Sequence, residues 1–191
     1  MANTNRLLDA SGRTPEEAMA NILHRTRKEN AAKPVILADL RARFPHKQFE
    51  ISDNGVDNTG AYIDDPNKVT LAPDWTIHID TRLLPTEVLI HSEKHRTCSF
   101  KSVKLRYSVD HGSMTAVVRD SYWIAISNIG AKYLLDTYEE ESVARINGGK
   151  PSIILAPEDL LQLSMIGVIT RYQYLGSALD VMCQVRKELF S

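Results

Sequence analysis

The stretch Pro151–Phe190, PSIILAPEDLLQLSMIGVITRYQYLGSALDVMCQVRKELF, is the most apolar and most helix-competent part of the chain, and whatever else folds must cover it. Ile153-Ile-Leu155 reads as a short strand. Pro157-Glu-Asp159 then opens a helix, with proline at an early position and acids in the first turn. Leu160, Leu161, Leu163, Met165, Ile166, Val168 and Ile169 would cover nearly its whole circumference. A helix apolar all round is buried on several sides. Pro157 to Thr170 is therefore expected in the core, and Ile166→Asp is expected to unfold the protein. Beyond a break near Gly176 the apolar set narrows to one stripe of Leu175, Leu179, Met182, Val185 and Leu189. Tyrosine and arginine are enriched at interface anchors. Arg171, Tyr172, Tyr174, Leu175, Leu179 and Met182 are accordingly the candidate interface residues.

Outward from this stretch, the 191 residues bound the chain to a flexible lead over 1–13 and one α+β domain over 14–191. With 43% hydrophobic and 25% charged residues and a formal net charge of -1, nothing pulls the chain globally towards nucleic acid or an anionic membrane. The N-terminus has no apolar signal region. No run approaches the roughly 18 uncharged apolar residues of a membrane span. A cytoplasmic protein, or one held within a virion, is expected, with no membrane partner. Cys98 and Cys183 are read as free thiols.

Thr14-Pro15-Glu16-Glu17 carries a capping box with proline at the first helical position. The pattern predicts a helix to about Asn30 and a second, short one from Pro34 to before Pro45. Phe49 and Ile51 begin a strand, and Ser52 to Lys68 is a loop rich in Asp, Asn and Gly. Trp75 to Thr81 alternates cleanly, with Trp75, Ile77 and Ile79 inward. Glu87 to His91 follows Pro85 as a strand. Ser99 to Val109 alternates again, Asp110 to Ser113 reads as a hairpin turn, and Met114 to Arg119 as its return strand. The expected architecture is an antiparallel meander over about residues 48–119, packed by N-terminal helices, by a helix over Ser121–Tyr138 and by the C-terminal helical layer. Gly130 would weaken that helix or allow another element to approach closely.

The candidate chemistry is sparse. His91, His95 and Cys98 could share a helix face and ligate zinc, but no fourth ligand offers itself and a strand would splay them. The loop from Asp53 to Asp65 is rich in oxygen ligands, yet Gly55 stands where a calcium ligand is needed. His78 and Asp80 share a strand face, and Ser113 lies in a turn without a nucleophile elbow. Between His24 and Lys47 there is a local excess of five positive charges. Arg25, Arg27, Lys28, Arg41, Arg43 and Lys47 would contact phosphates if this segment bound nucleic acid. The leading expectation is a non-enzymatic binding or assembly protein: an oligomeric subunit, adaptor or inhibitor such as a viral accessory, whose partners are other protein chains, including itself. The alternatives are a nucleic-acid binder using 24–47 or a small enzyme with an unrecognised site. No cofactor, metal or catalytic residue is assigned.

Overall fold

The computed structural model describes residues 14–54, 73–91, 96–143 and 150–190. The elements are α1 (Pro15–Arg43), β1 (Phe49–Asp53), β2 (Trp75–Ile79), β3 (Arg82–Ile90), β4 (Cys98–Lys101), α2 (Ser102–His111), β5 (Met114–Val118), β6 (Tyr122–Ile126), α3 (Asn128–Thr137), β7 (Ser152–Leu155), α4 (Pro157–Met165), β8 (Ile169–Gln173) and α5 (Ser177–Phe190). The α+β class and the mostly antiparallel sheet hold. Six strands stand in the order β1-β2-β3-β5-β6-β8, and β4 and β7 form a separate ribbon. Every pair is antiparallel except β3 with β5. Parallel neighbours need a crossover rather than a tight turn, and β4 with α2 supplies it.

Both sheet faces are covered. Trp75, Ile77, Val88, Ala116, Val118 and Trp123 point towards Ala32, Val35, Ile36 and Leu40 of α1 and Ala178, Met182 and Val185 of α5. On the other face, Val117, Ile124, Ile126 and Ile169 meet Leu105, Ala131, Leu134, Leu160 and Leu163 of α2, α3 and α4, together with Phe100, Ile153 and Leu155 of the ribbon. Neighbouring strand residues thus belong to opposite cores, as the two-residue period of a strand requires.

Several expectations change, each for a physical reason. The capping box forms as read: Thr14 accepts from the Glu17 N–H and Glu17 accepts from the Thr14 N–H. The helix does not stop before Pro34 but runs through it to Arg43. An internal proline costs about 3 kcal/mol or more. Here burial of Ala32, Val35, Ile36 and Leu40 on both sides of it offsets that cost. β3 likewise runs through Pro85. Up to Thr86 it pairs only with β2, and from Thr86 only with β5. Pro85 therefore sits where one edge of the strand has no partner among the described residues, a position that tolerates a missing donor.

The alternation over Ser99–Val109 is not a strand beyond Lys101. Ser102, Leu105 and Ser108, three apart, make the buried side of α2, while Val103 is exposed. Gly112, at φ 66°, ends that helix in the left-handed conformation instead of forming a hairpin. Met114–Val118 is the expected strand, but its partners are β3 and β6. The expected helix over Ser121–Tyr138 is a strand followed by a helix. β6 is buried on both faces and so reads as a continuous apolar run, in which helix and strand periods are hard to separate. Ser127 caps α3 by accepting from the Gly130 N–H at 3.1 Å. Gly130 does admit a neighbour: a Cβ there would lie 2.4 Å from the Val168 carbonyl oxygen.

The C-terminal stretch changes most. α4 ends at Met165, and Gly167 turns the chain at φ 76° into β8. Leu160, Leu163 and Ile169 are buried, but Met165 is 79% and Ile166 56% exposed, and Leu161 is exposed as well. Pro157–Thr170 is therefore not one buried helix. No helix among the described residues is long and apolar enough to cross a membrane.

Candidate functional site

The residues singled out by sequence do not converge. Of the interface set, Tyr174 and Met182 are buried in the chain's own core. The Tyr174 hydroxyl donates to the Arg119 carbonyl at 2.8 Å. Tyr172 stacks on Trp123, with ring centroids 4.5 Å apart, beneath the Arg43 guanidinium. Arg171 lies over the Tyr122 ring at 3.8 Å on the edge strand β8. Leu175 and Leu179 are exposed. The basic set is spread along α1 and its exit, and part of it is engaged. Arg41 donates to the Phe49 carbonyl at 3.0 Å, Lys47 is 3.8 Å from Asp80, and Arg43 is bound to Asp39. Arg27 is exposed. The side chains of Arg25 and Lys28 lie outside the described residues.

His95 and most of the Asp53–Asp65 loop also lie outside the described residues. Asp53 itself pairs with Lys33. Cys98 is buried beside Arg119, whose Nη1 donates to Sγ at 2.9 Å. Burial pushes the Cys98 thiol above its usual range, against the pull of that guanidinium. Both cysteines are free thiols. The His78, Asp80 and Ser113 arrangement is not assembled. His78 Nε2 lies 2.9 Å from Ser52 Oγ, Asp80 accepts from the Gln48 N–H, and the buried Ser113 is tied to Ser108.

What the structure reveals instead is a set of buried acids, and buried polar groups are more informative than exposed ones. Asp39 is fully buried. Its two oxygens accept from Arg43 Nε and Nη2, from Trp123 Nε1 at 2.8 Å and from the Leu175 N–H at 2.9 Å. These donors come from α1, β6 and the link into α5, so Asp39 fastens one helical layer to the sheet.

The second set lies where the sheet forks. β2 stops pairing with β3 at the Trp75–Thr86 pair, and β5 takes over from Thr86 onwards. Asp74 immediately precedes that last pair on the β2 side, and Glu87 immediately follows it on β3. Trp75 and Val88 point to the α1 face, so alternation sends Glu87 towards α2. Asp74 Oδ2 accepts the Val88 N–H at 2.9 Å, taking the place of the departed strand. From α2, Lys104 Nζ donates to Glu87 Oε2 at 2.9 Å. On the other side, Thr115 of β5 stands in register with Glu87. Asp74 is 5%, Glu87 8% and Thr115 2% exposed. Glu29 of α1 is a fourth buried acid. One turn further along α1, Lys33 pairs with Asp53, and the next residue, Asn54, donates its N–H to the Asp74 carbonyl.

Sequence reasoning passed over this fork although two signals were present. Asp74 immediately precedes the most regular strand, and Glu87 is a charge directly before the apolar run Val88-Leu-Ile90. Lys104 was hidden by reading α2 as a strand. Among the described residues no group of three or more His, Cys, Asp or Glu is arranged to hold a metal ion. Magnesium does not require one: it binds through one or two carboxylates and keeps several waters. Chemically, the fork presents two carboxylates able to hold a hard cation and an ammonium able to meet an anion. No protein-family model matches the chain, and no curated protein matches it.

Proposed function

We propose that the chain is an enzyme, a divalent-cation-dependent hydrolase of phosphate esters, with Asp74 and Glu87 holding the cation and Lys104 meeting the phosphate. The observation that carries this reading is that Asp74 and Glu87 are both buried beside the last β2–β3 pair, with Asp74 holding the Val88 N–H and Lys104 bonded to Glu87. A divalent ion held by Asp74 and Glu87 would polarise a phosphoryl oxygen and make a bound water more acidic. Asp74 is fixed by the Val88 N–H, so its carboxylate is oriented before anything binds. Lys104 is mounted on a separate helix and has a flexible stem, so its ammonium can swing from Glu87 to an incoming phosphate oxygen. A glycosidase-like acid pair is less well supported. A carboxylate bonded to an ammonium is poorly suited to giving a leaving group its proton.

The test is cleavage of single- and double-stranded DNA and RNA, and of a bis-aryl phosphodiester, with Mg²⁺ or Mn²⁺ and with chelator. Cation-dependent cleavage is expected, with Asp74→Asn, Glu87→Gln and Lys104→Ala each lowering kcat by roughly 100-fold or more. Cleavage that persists in chelator, or in Glu87→Gln, would sink the reading.

A second reading, a protein-binding or assembly role, draws on a different observation. Ile129 is 77% exposed, and Leu161, Met165 and Ile166 are exposed on neighbouring elements. Light scattering across a concentration series tests it; a monomer at every concentration counts against self-association.

A further inference from the structure

We propose that Thr115 is a positioning residue of the fork, its hydroxyl holding a water of the cation bound by Asp74 and Glu87. The inference rests on the cation reading above. Thr115 is the β5 neighbour of Glu87 in the parallel register, and across the sheet it pairs with Ile126 of β6. Ile126 belongs to the core on the α2 side, and Ala116, next in sequence to Thr115, belongs to the opposite one. The Thr115 side chain therefore stands on the same face as Glu87 and Lys104. It is almost wholly buried, and its Oγ1 has no hydrogen-bond partner among the described residues.

A buried hydroxyl without a partner destabilises a fold. Valine has nearly the same shape, suits a strand equally well and would carry no such cost. Packing alone thus gives no reason for threonine at this position. The neighbouring carboxylate does. A hydroxyl one strand away from Glu87 can accept from a cation-bound water or donate to the carboxylate that holds the cation. Groups in that outer position orient the ligands and sharpen affinity.

The experiment measures Mn²⁺ binding to the full chain by electron paramagnetic resonance of the free ion, with thermal midpoints in parallel. Thr115→Val is expected to weaken Mn²⁺ affinity by about 10-fold or more, with a midpoint equal to or above that of the wild type. Thr115→Ser should restore the affinity. Thr115→Ala also lacks the hydroxyl and must show the same loss, which guards against an effect of branching. Wild-type affinity in Thr115→Val or Thr115→Ala, alongside loss of binding in Asp74→Asn, overturns the role of Thr115 and leaves the cation reading standing. Absence of Mn²⁺ binding by the wild type overturns both.

Discussion

Asp39 and the Asp74–Glu87 pair are buried acids on opposite sides of one sheet, and their surroundings differ in kind. Asp39 receives four hydrogen bonds from groups that are themselves fixed: a tryptophan ring, a backbone N–H and a guanidinium that also donates to the Gln173 carbonyl. Two carboxylate oxygens offer about four acceptor sites, so little capacity remains for a ligand. At the fork, the Val88 N–H is fixed but the counter-charge sits on Lys104, at the end of a long side chain on another helix. A saturated acid fastens the fold. An acid whose counter-charge sits on a flexible side chain is suited to chemistry.

The largest effect is expected at Asp39. Asp39→Ala strips Arg43, Trp123 and the Leu175 N–H of their common acceptor. Breaking one side of a buried pair costs about 3–5 kcal/mol. Urea unfolding should show that loss, and a change under about 1 kcal/mol, within the range of an ordinary substitution, would break the comparison. Next come Asp74→Asn and Glu87→Gln, which should abolish cleavage yet shift stability by no more than about 1 kcal/mol in either direction. If they destabilise as much as Asp39→Ala, the fork is a structural clasp too.

Smaller still is Ile166→Asp. Ile166 is more than half exposed, so the added charge stays in water and the change should lie within about 0.5 kcal/mol. A lost thermal transition would restore Ile166 to the core.

The smallest effect concerns pH. The hydrogen bond from Arg106 holds the Glu140 carboxyl below its ordinary value of 4.5. A depressed carboxyl stabilises the folded state above its unfolded pKa, and that contribution is lost as pH falls through the lower folded value. Glu140→Gln should therefore lower stability slightly at pH 7 and not at all at the acid end. The pair is exposed, so 1 M salt should erase the difference. An effect that survives salt would mean a tighter pair than the fold implies.

Much of the framework was legible in the residues. The Thr14–Glu17 box, the strand at Trp75, the helix start at Pro157 and the close approach at Gly130 follow from local rules, because capping, alternation and the absence of a Cβ act over a few residues. The failures share a cause. β6 and α4 were misread because apolar runs look alike whether they enter a strand buried on two faces or a helix with one exposed side. Lys104 was missed with them, since its partner Glu87 is reached only when Ser102–His111 winds as a helix.

By itself, then, the chain's order of residues determined the α+β class and the helix starts at Thr14 and Pro157, which depend on neighbours in sequence. Only the tertiary structure decided what the buried acids meet. Asp39 finds Trp123 and Leu175, and Glu87 finds Lys104 and Thr115, through pairings between residues far apart along the chain. No local rule sets such pairings; burial of both sheet faces does.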